Sequence, residues 1–275
     1  MLLFPNAKIN IGLYVTERRP DGYHNLETVF YPIPLHDNLD LRPLRDEPGA
    51  CRLLQNGRKV ECCAEDNLVV RVYRALQADF AMPGVEMELY KRVPTGAGLG
   101  GGSADAASAM KGLNELFALG LTETEMERRL SKLGADCAFF IRNRPAYATG
   151  IGDCLTPFAL SLKGLTLVLV KPHDYVSTRD AYAGIRPRPA GCDLRKALLQ
   201  PVETWKDCVE NDFEHTVFPL FPRIAALKQT LYDMGALYAA MSGSGSTVFG
   251  LFAHPVEGVA EVFGDCFTFQ ETLRL

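Results

Sequence analysis

The segment Pro94–Ala109, PTGAGLGGGSADAASA, sets the terms for the rest of the chain. Five glycines (Gly96, Gly98, Gly100, Gly101 and Gly102) lead through Ser103 into an alanine-rich helix, expected from Ala104 to about Leu119. Glycine lets the backbone take φ > 0 and approach a ligand closely, because no Cβ stands in the way. The first N–H groups of the helix have no intrahelical acceptor and lie at the positive end of its dipole, which suits an anion. A glycine turn feeding a helix N-terminus is therefore a phosphate cradle. The plain alternative is a flexible linker, but linkers rarely open directly into an uninterrupted helix. A Walker loop is excluded, since Ser103 rather than Lys follows Gly102. Gly96-x-Gly98-x-x-Gly101 satisfies the dinucleotide fingerprint, but Val85, Met87 and Leu89 alternate with Glu86, Glu88 and Tyr90 just before it. That is a strand with one wet face, not the near-continuous apolar run of a doubly wound sheet.

Outward from the loop, the pattern is mixed helix and strand, mostly antiparallel. Ile9, Ile11, Leu13 and Val15 alternate with Lys8, Asn10, Gly12 and Tyr14, predicting a first strand with a core face and a polar face. A turn at Pro20-Asp21-Gly22 precedes a strand over about Leu26–Ile33, which Pro32 and Pro34 should cut off. Residues 36–60 read as strands around a charged loop. Asp66 is expected to cap a helix from about Asn67 to Asp79. Thr122 with Glu125 forms a capping box for a helix ending at Gly134. Beyond Lys163, strands at 165–170, 237–241 and 247–252 alternate with helices at about 222–234 and 256–263. Pro157 and Gly164 mark a seam, giving domains 1–158 and 159–275.

The bulk properties narrow the function classes. At 275 residues with 47% hydrophobic and 23% charged residues, the chain can bury a large core and reads as a soluble globular protein. A formal charge of −4 supplies no basic field for nucleic acid or an anionic membrane surface. Met1–Phe4 is too short an apolar run for a signal peptide, and no run approaches the ~18 apolar residues of a membrane span. The eight cysteines show no C-x-x-C pair and no His spacing that would build a zinc site, so they read as reduced thiols of a cytoplasmic protein.

The loop Pro-x-Gly-x-Gly-Leu-Gly-Gly-Gly-Ser-Ala, at 94–104, resembles the nucleotide loop of the GHMP small-molecule kinases, which include galactose, homoserine and mevalonate kinases. PNAKINIGLYV (5–15), RPDGYHNLETVF (19–30), LGAD (133–136) and MSGSGSTVFG (241–250) are similar to further segments of one branch of that family, in its order. The resemblance implies an α+β, two-domain GHMP-kinase fold, with an N-terminal ribosomal-protein-S5-domain-2-like domain and a C-terminal ferredoxin-like domain. It also implies an ATP- and Mg²⁺-dependent kinase acting on a small molecule, a cytidyl diphosphate-linked polyol of the non-mevalonate isoprenoid route. Two alternatives stay open. A homoserine or mevalonate type would keep the loop without DGYH as a pyrimidine platform, and a catalytically silent sensor would lose the catalytic residues.

Residue by residue, the resemblance implies that Pro94, Thr95, Gly96, Ala97, Gly98, Leu99, Gly100, Gly101, Gly102, Ser103 and Ala104 bind ATP, with Ser103 also touching Mg²⁺. No carboxylate ligand for the metal is assigned. Asn67 and Lys91 fall on the adenine side, although a helix cap and a strand-end charge explain them as well. Lys8 matches the active-site lysine, a fixed ammonium that can stabilise a developing alkoxide and the transferring phosphoryl group. From the pattern alone it is a lysine on a solvated strand face. Asp136 matches the general base and otherwise reads as a helix cap. Relatives usually carry Pro two residues after that Asp, where this chain has Ala138. Asn10, Tyr23, His24, Thr178, Tyr182, Gly243 and Gly245 fall on the substrate side. There aromatic faces can hold a pyrimidine and His24 can bond its edge. Tyr182 reads equally as a buried helix aromatic, and Gly243–Gly245 equally as a tight hairpin.

Asp136→Asn keeps the size of the side chain and removes its proton acceptor. Turnover should fall by roughly 10²–10⁴, the scale of general-base catalysis, with ATP affinity nearly unchanged. Steady-state kinetics beside calorimetric titration of an ATP analogue checks this; near-native turnover would reduce Asp136 to a helix cap.

Overall fold

The structure, a computed structural model, describes residues 1–60 and 62–275. Strands β1 (Leu2–Leu3), β2 (Asn6–Arg18), β3 (His24–His36), β4 (Asn38–Leu44) and β5 (Cys51–Gly57) precede helix α1 (Leu68–Gln77). Then come β6 (Gly84–Lys91), α2 (Gly101–Leu116), α3 (Glu123–Leu130), α4 (Phe139–Arg142), β7 (Ala146–Thr149) and β8 (Cys154–Pro157). The remainder runs β9 (Thr166–Lys171), α5 (Thr178–Ala183), α6 (Leu194–Ala197), α7 (Phe213–Leu220), α8 (Pro222–Asp233), β10 (Tyr238–Met241), β11 (Val248–Phe252), α9 (Val259–Phe263) and β12 (Phe267–Thr272). The chain divides into two compact units, each built from several stretches of sequence. Unit 1 comprises Met1–Lys8, Leu35–Thr95 and Gly100–Arg144; unit 2 comprises Ile9–Pro34, Gly96–Leu99 and Pro145–Leu275.

Unit 1 carries a sheet in the order β1-β4-β6-β5, antiparallel except for the β5–β6 pair. Val85, Met87 and Leu89 of β6 are buried while Glu86, Glu88 and Tyr90 reach the surface, as their alternation predicts. Asn67, not Asp66, caps α1: its side chain accepts the Val69 N–H at 3.1 Å. Asp66 is already used in a short 3-10 turn, Ala64–Asp66, so the extended residue that starts the helix comes one position later. Helix α2 starts at Gly101 rather than Ala104, because Gly100 is left-handed at φ +68° and its carbonyl accepts the Ala104 N–H at 2.9 Å. A Cβ on Gly112 would fall 2.5 Å from Leu41 Cδ1, so the close approach of α2 to β4 at that point needs a residue without a side chain. The Thr122–Glu125 capping box is present, but α3 ends at Leu130, short of Gly134.

Unit 2 carries the sheet β10-β11-β9-β12, antiparallel throughout. Numbered by chain order within that sheet, the arrangement is 2-3-1-4. Helices α7 and α8 come between the first and second strands and α9 between the third and fourth, which is ferredoxin-like. Its core gathers Val168, Val170, Phe213, Val217, Ile224, Leu231 and Val248 with Leu13 and Val15 of β2.

The sheet β2-β3-β7-β8 departs from expectation twice. No polar face of β2 is wet, since every residue from Ala7 to Val15 is buried. In unit 2 the segment around 194–209 covers that face: the Tyr14 hydroxyl donates to the Cys208 carbonyl at 2.8 Å, and a Cβ on Gly12 would meet Leu194 Cδ1 at 2.5 Å. Strand β3 continues through Pro32 and Pro34 to His36. Its pairing with β7 stops at Phe30, so on that side no ladder bond asks for the missing N–H groups. No helix among the described residues is long and apolar enough to cross a membrane.

Candidate active site

Unit 1 brings Lys8 and Asp136 together. Their Nζ and Oδ2 lie 3.3 Å apart, with the Lys8 side chain 3% exposed and that of Asp136 34% exposed. A buried ammonium facing a half-open carboxylate leaves one side of the pair accessible to a reacting group. Gly100 makes the room. A Cβ there would fall 3.0 Å from Phe140 Cζ and 3.2 Å from Lys8 Cε, so Lys8 and the left-handed turn that starts α2 require each other. Gly101, Gly102 and Ser103 follow as the first turn of α2, where N–H groups face outward by helix geometry. The Ser103 side chain lies near the Cys137 thiol, which burial pushes above its ordinary pKa. Asp136 itself caps no helix: α4 starts after Ala138.

Lys91, expected on the adenine side, is instead 2% exposed, its ammonium donating to Asp37 and to Asp105 Oδ2 (2.6 Å for the latter). Burial alone would lower its pKa, but Asp105 and Asp37 outweigh that and hold it raised. Asp37 also accepts the N–H groups of Arg92 and Val93, the latter at 2.8 Å. Asn67 is buried and engaged as the α1 cap. Gly101 sits directly above this group, a Cβ there falling 2.9 Å from Val93 Cγ1 and 3.4 Å from Lys91 Nζ. Gly96, Gly98 and Gly100 have positive φ, whereas Gly101 and Gly102 do not. The first three glycines are thus needed for conformation and Gly101 for space.

Unit 2 holds Gly96–Leu99 with equal tightness. The buried Ser242 hydroxyl accepts the Asn10 N–H at 3.1 Å and donates to the Gly98 carbonyl at 2.9 Å. A Cβ on Gly98 would fall 1.9 Å from the Ser242 carbonyl oxygen. Asn10 Nδ2 donates to Thr28 Oγ1 at 3.1 Å, and Thr28 donates to the Gly12 carbonyl at 2.5 Å. Gly243 and Gly245 form a tight hairpin loop, with the Gly245 N–H bonded to the Ser242 carbonyl at 3.0 Å. Asn211 props that loop, donating to the Met241 and Gly243 carbonyls at 2.7 and 2.8 Å.

The aromatic residues are only partly assembled. His24 stacks on Tyr182, centroids 4.8 Å apart at 22°, and Tyr182 meets Phe213 edge-on at 4.8 Å. Burial first, and the Arg18 charge second, lower the His24 pKa, so a neutral ring offers one donor and one acceptor. Tyr23 points outward at 61% exposure from the Asp21–Gly22 turn, whose Asp21 carboxylate accepts the Tyr23 N–H at 3.1 Å. Thr178 is exposed at the first position of α5. Asp37, Asp105, Ser242, Thr28 and Asn211 were not singled out from the sequence, although Thr28 and Ser242 lie inside the segments 19–30 and 241–250 that carry the resemblance and Asp105 is a carboxylate within Ala104-Asp105-Ala106-Ala107.

Residues 67–144 match the GHMP kinases N terminal domain, and residues 194–265 match the GHMP kinases C terminal domain. The chain is 53% identical, over the full length of both proteins, to a Bacteroides fragilis 4-diphosphocytidyl-2-C-methyl-D-erythritol kinase. It is 44% identical to the Porphyromonas gingivalis protein of the same name, over 99% of this chain and all of that one. The crystal structure of a 4-(cytidine 5'-diphospho)-2C-methyl-D-erythritol kinase superposes with a TM-score of 0.83 at 32% identity, covering 98% of each chain. A Cytophaga hutchinsonii homoserine kinase, 18% identical over 97% of this chain and 93% of its own, shares the fold at a TM-score of 0.67.

Gly98→Ala should weaken ATP-analogue binding by at least ~10-fold: the φ of +74° costs about 1–2 kcal/mol for an L-residue, and the new Cβ strikes a backbone oxygen. Gly120→Ala is the control, with φ +73° and nothing within 4 Å of its Cβ, so it should lose stability alone. Calorimetric titration with thermal unfolding on both variants decides; equal binding would remove the close approach at Gly98 from the account.

Proposed function

Because the chain belongs to the GHMP kinases, in the family of the 4-diphosphocytidyl-2-C-methyl-D-erythritol kinases, we propose that it transfers the γ-phosphoryl group of ATP to the 2-hydroxyl of that diphosphocytidyl polyol. The observation that carries the chemistry is the Lys8–Asp136 pair, 3.3 Å apart, with Lys8 buried and Asp136 reachable. The acceptor O–H bond breaks as its oxygen bonds the γ-phosphorus, the proton passes to the Asp136 carboxylate, and ADP leaves. Lys8 supplies a fixed positive charge where the alkoxide and the phosphoryl oxygens develop theirs.

Pro94–Ala104 cradles the phosphates, with the first-turn N–H groups of α2 at the positive end of the helix. Mg²⁺ would be held by Ser103 Oγ and the nucleotide's own phosphates, a hard-oxygen set that suits it, and it would neutralise charge between the β- and γ-phosphates. In this reading Lys91 and Asn67 support the nucleotide side from inside unit 1 rather than touching the base, which their burial favours. Asn10, Thr178, Gly243 and Gly245 belong to the acceptor side, and Tyr23, His24 and Tyr182 to the cytosine. The neutral His24 ring matches a neutral base edge. Domain limits of 1–158 and 159–275 accord with one family match on each side of the seam. A biosynthetic kinase of this type works in the cytoplasm.

Binding energy from the remote cytidyl handle positions the hydroxyl, so losing the handle should cost rate as well as affinity. Each base–aromatic contact is worth about 1–3 kcal/mol, roughly 10- to 100-fold. Tyr182→Ala should raise KM for the cytidyl substrate and leave KM for ATP alone, and bare 2-C-methylerythritol or its 4-phosphate should be a poor acceptor. Steady-state kinetics with handle-bearing and handle-free alcohols tests the assignment; equal efficiency on both would return the substrate to the other small-molecule kinases.

A further inference from the structure

Tyr175 belongs to none of the groups above, yet it lies against the glycine loop. A Cβ on Gly96 would fall 2.7 Å from Tyr175 Cε2 and 3.2 Å from Cδ2, so the edge of the ring occupies the space a side chain at 96 would need. Gly96 is left-handed at φ +58° and belongs, like Tyr175, to unit 2. The ring is otherwise 67% exposed, among the most exposed large side chains described.

The backbone on either side of it is fastened. The Ser246 hydroxyl donates to the Asp174 carbonyl at 2.6 Å, Lys171 Nζ reaches the Asp174 carbonyl at 3.3 Å, and Val176 is buried. Ser246 lies in the hairpin loop whose Ser242 holds Gly98. The short stretch Gly96–Leu99 is therefore gripped twice from unit 2: by a hydroxyl at Gly98 and by an aromatic edge at Gly96. The two grips are joined through the Ser246–Asp174 bond.

We propose that Tyr175 is a positioning residue for the nucleotide. Its ring edge holds Gly96 in the left-handed turn, so the first half of the loop is shaped for phosphates before ATP arrives. This rests on 94–104 being the nucleotide loop. Fixing the backbone of one glycine costs about 1–2 kcal/mol of conformational free energy, and a support that has already fixed it spares the ligand that cost. The hydroxyl of Tyr175 plays no part in this role. Neither does the acceptor.

The test is Tyr175→Ala beside Tyr175→Phe, with ATP-analogue titration and steady-state kinetics in both substrates. Tyr175→Ala should raise Kd and KM for ATP by about 5- to 30-fold, the factor equivalent to ordering one residue. Its kcat at saturating ATP and its acceptor KM should stay within about twofold, the range of an unperturbed contact. Tyr175→Phe keeps the ring edge and should restore native ATP affinity. Native ATP affinity in Tyr175→Ala overturns the proposal. So does a Phe variant as weak as the Ala one, which would make the hydroxyl the active part, or a rise confined to the acceptor KM. Gly98→Ala separates the two levels of inference: if it weakens ATP binding while Tyr175→Ala does not, only the role of Tyr175 falls. If both bind ATP as the native chain does, the loop is not the nucleotide seat and the proposal falls with it.

Discussion

Lys91 lies between Asp37 and Asp105 with all three side chains buried, and unit 1 is organised around that contact. An ammonium and two carboxylates out of water are tolerable only while they satisfy one another; stripping one partner from such a group typically costs about 3–5 kcal/mol. One negative charge remains in excess, and burial answers it by pushing the Asp105 carboxyl upward, towards its neutral form. The geometric result matters more than the energy. Lys91 ends β6 and Asp105, fourteen positions later, lies in the second turn of α2, so the pair closes the span that contains every loop glycine. Asp37 fastens the two backbone N–H groups that lead into Pro94. A span rich in glycine has much conformational freedom to lose. Here both its ends are set by charges that cannot leave the interior.

Unit 2 meets the same difficulty for Gly96–Leu99 with neutral groups. Ser242 accepts from one segment and donates to another, and a buried hydroxyl with both functions engaged has one favoured position. The hairpin that carries it is itself held by Asn211, whose amide donates twice and whose carbonyl accepts the Phe213 N–H at 3.0 Å. Polar networks of this kind stabilise only when every member is satisfied. They also explain why residues that touch no reacting atom crowd the approaches to the loop.

The parts legible in the sequence were those whose signal is local. The glycine loop, the wet face of β6 and the Thr122–Glu125 box need only their neighbours to be read. Lys8 and Asp136 were recognised as a matched pair, yet the strand pattern alone put Lys8 in water, because alternation tells which residues share a face but not whether that face is covered. Asp37 left no trace and Ser242 only its place within 241–250, not its role: their partners lie 54 or more residues away, at Lys91, Asn10 and Gly98. The Asp66–Asn67 exchange at the α1 cap came from a one-turn 3-10 segment too short to carry a periodicity. Pro32 and Pro34 misled because a proline stops a strand only where a partner needs its N–H.

The interleaved ownership of the chain has a consequence for its biosynthesis. Unit 1 draws nothing from beyond Arg144, so all of its contacts, the buried charges and the first turn of α2 included, are available once that residue has left the ribosome. Unit 2 contributes Ile9–Pro34 and Gly96–Leu99 early, but those segments wait for partners near Asn211 and Ser242 and for β12 at Phe267–Thr272. At ordinary synthesis rates of about 5–20 residues per second, the interval from Arg144 to the last strand is several seconds to some tens of seconds. During it the apolar side chains of β2, buried on both faces in the finished protein, are still without their covers from the later segments. Chaperone demand in this chain should therefore be greatest while its second half is being made.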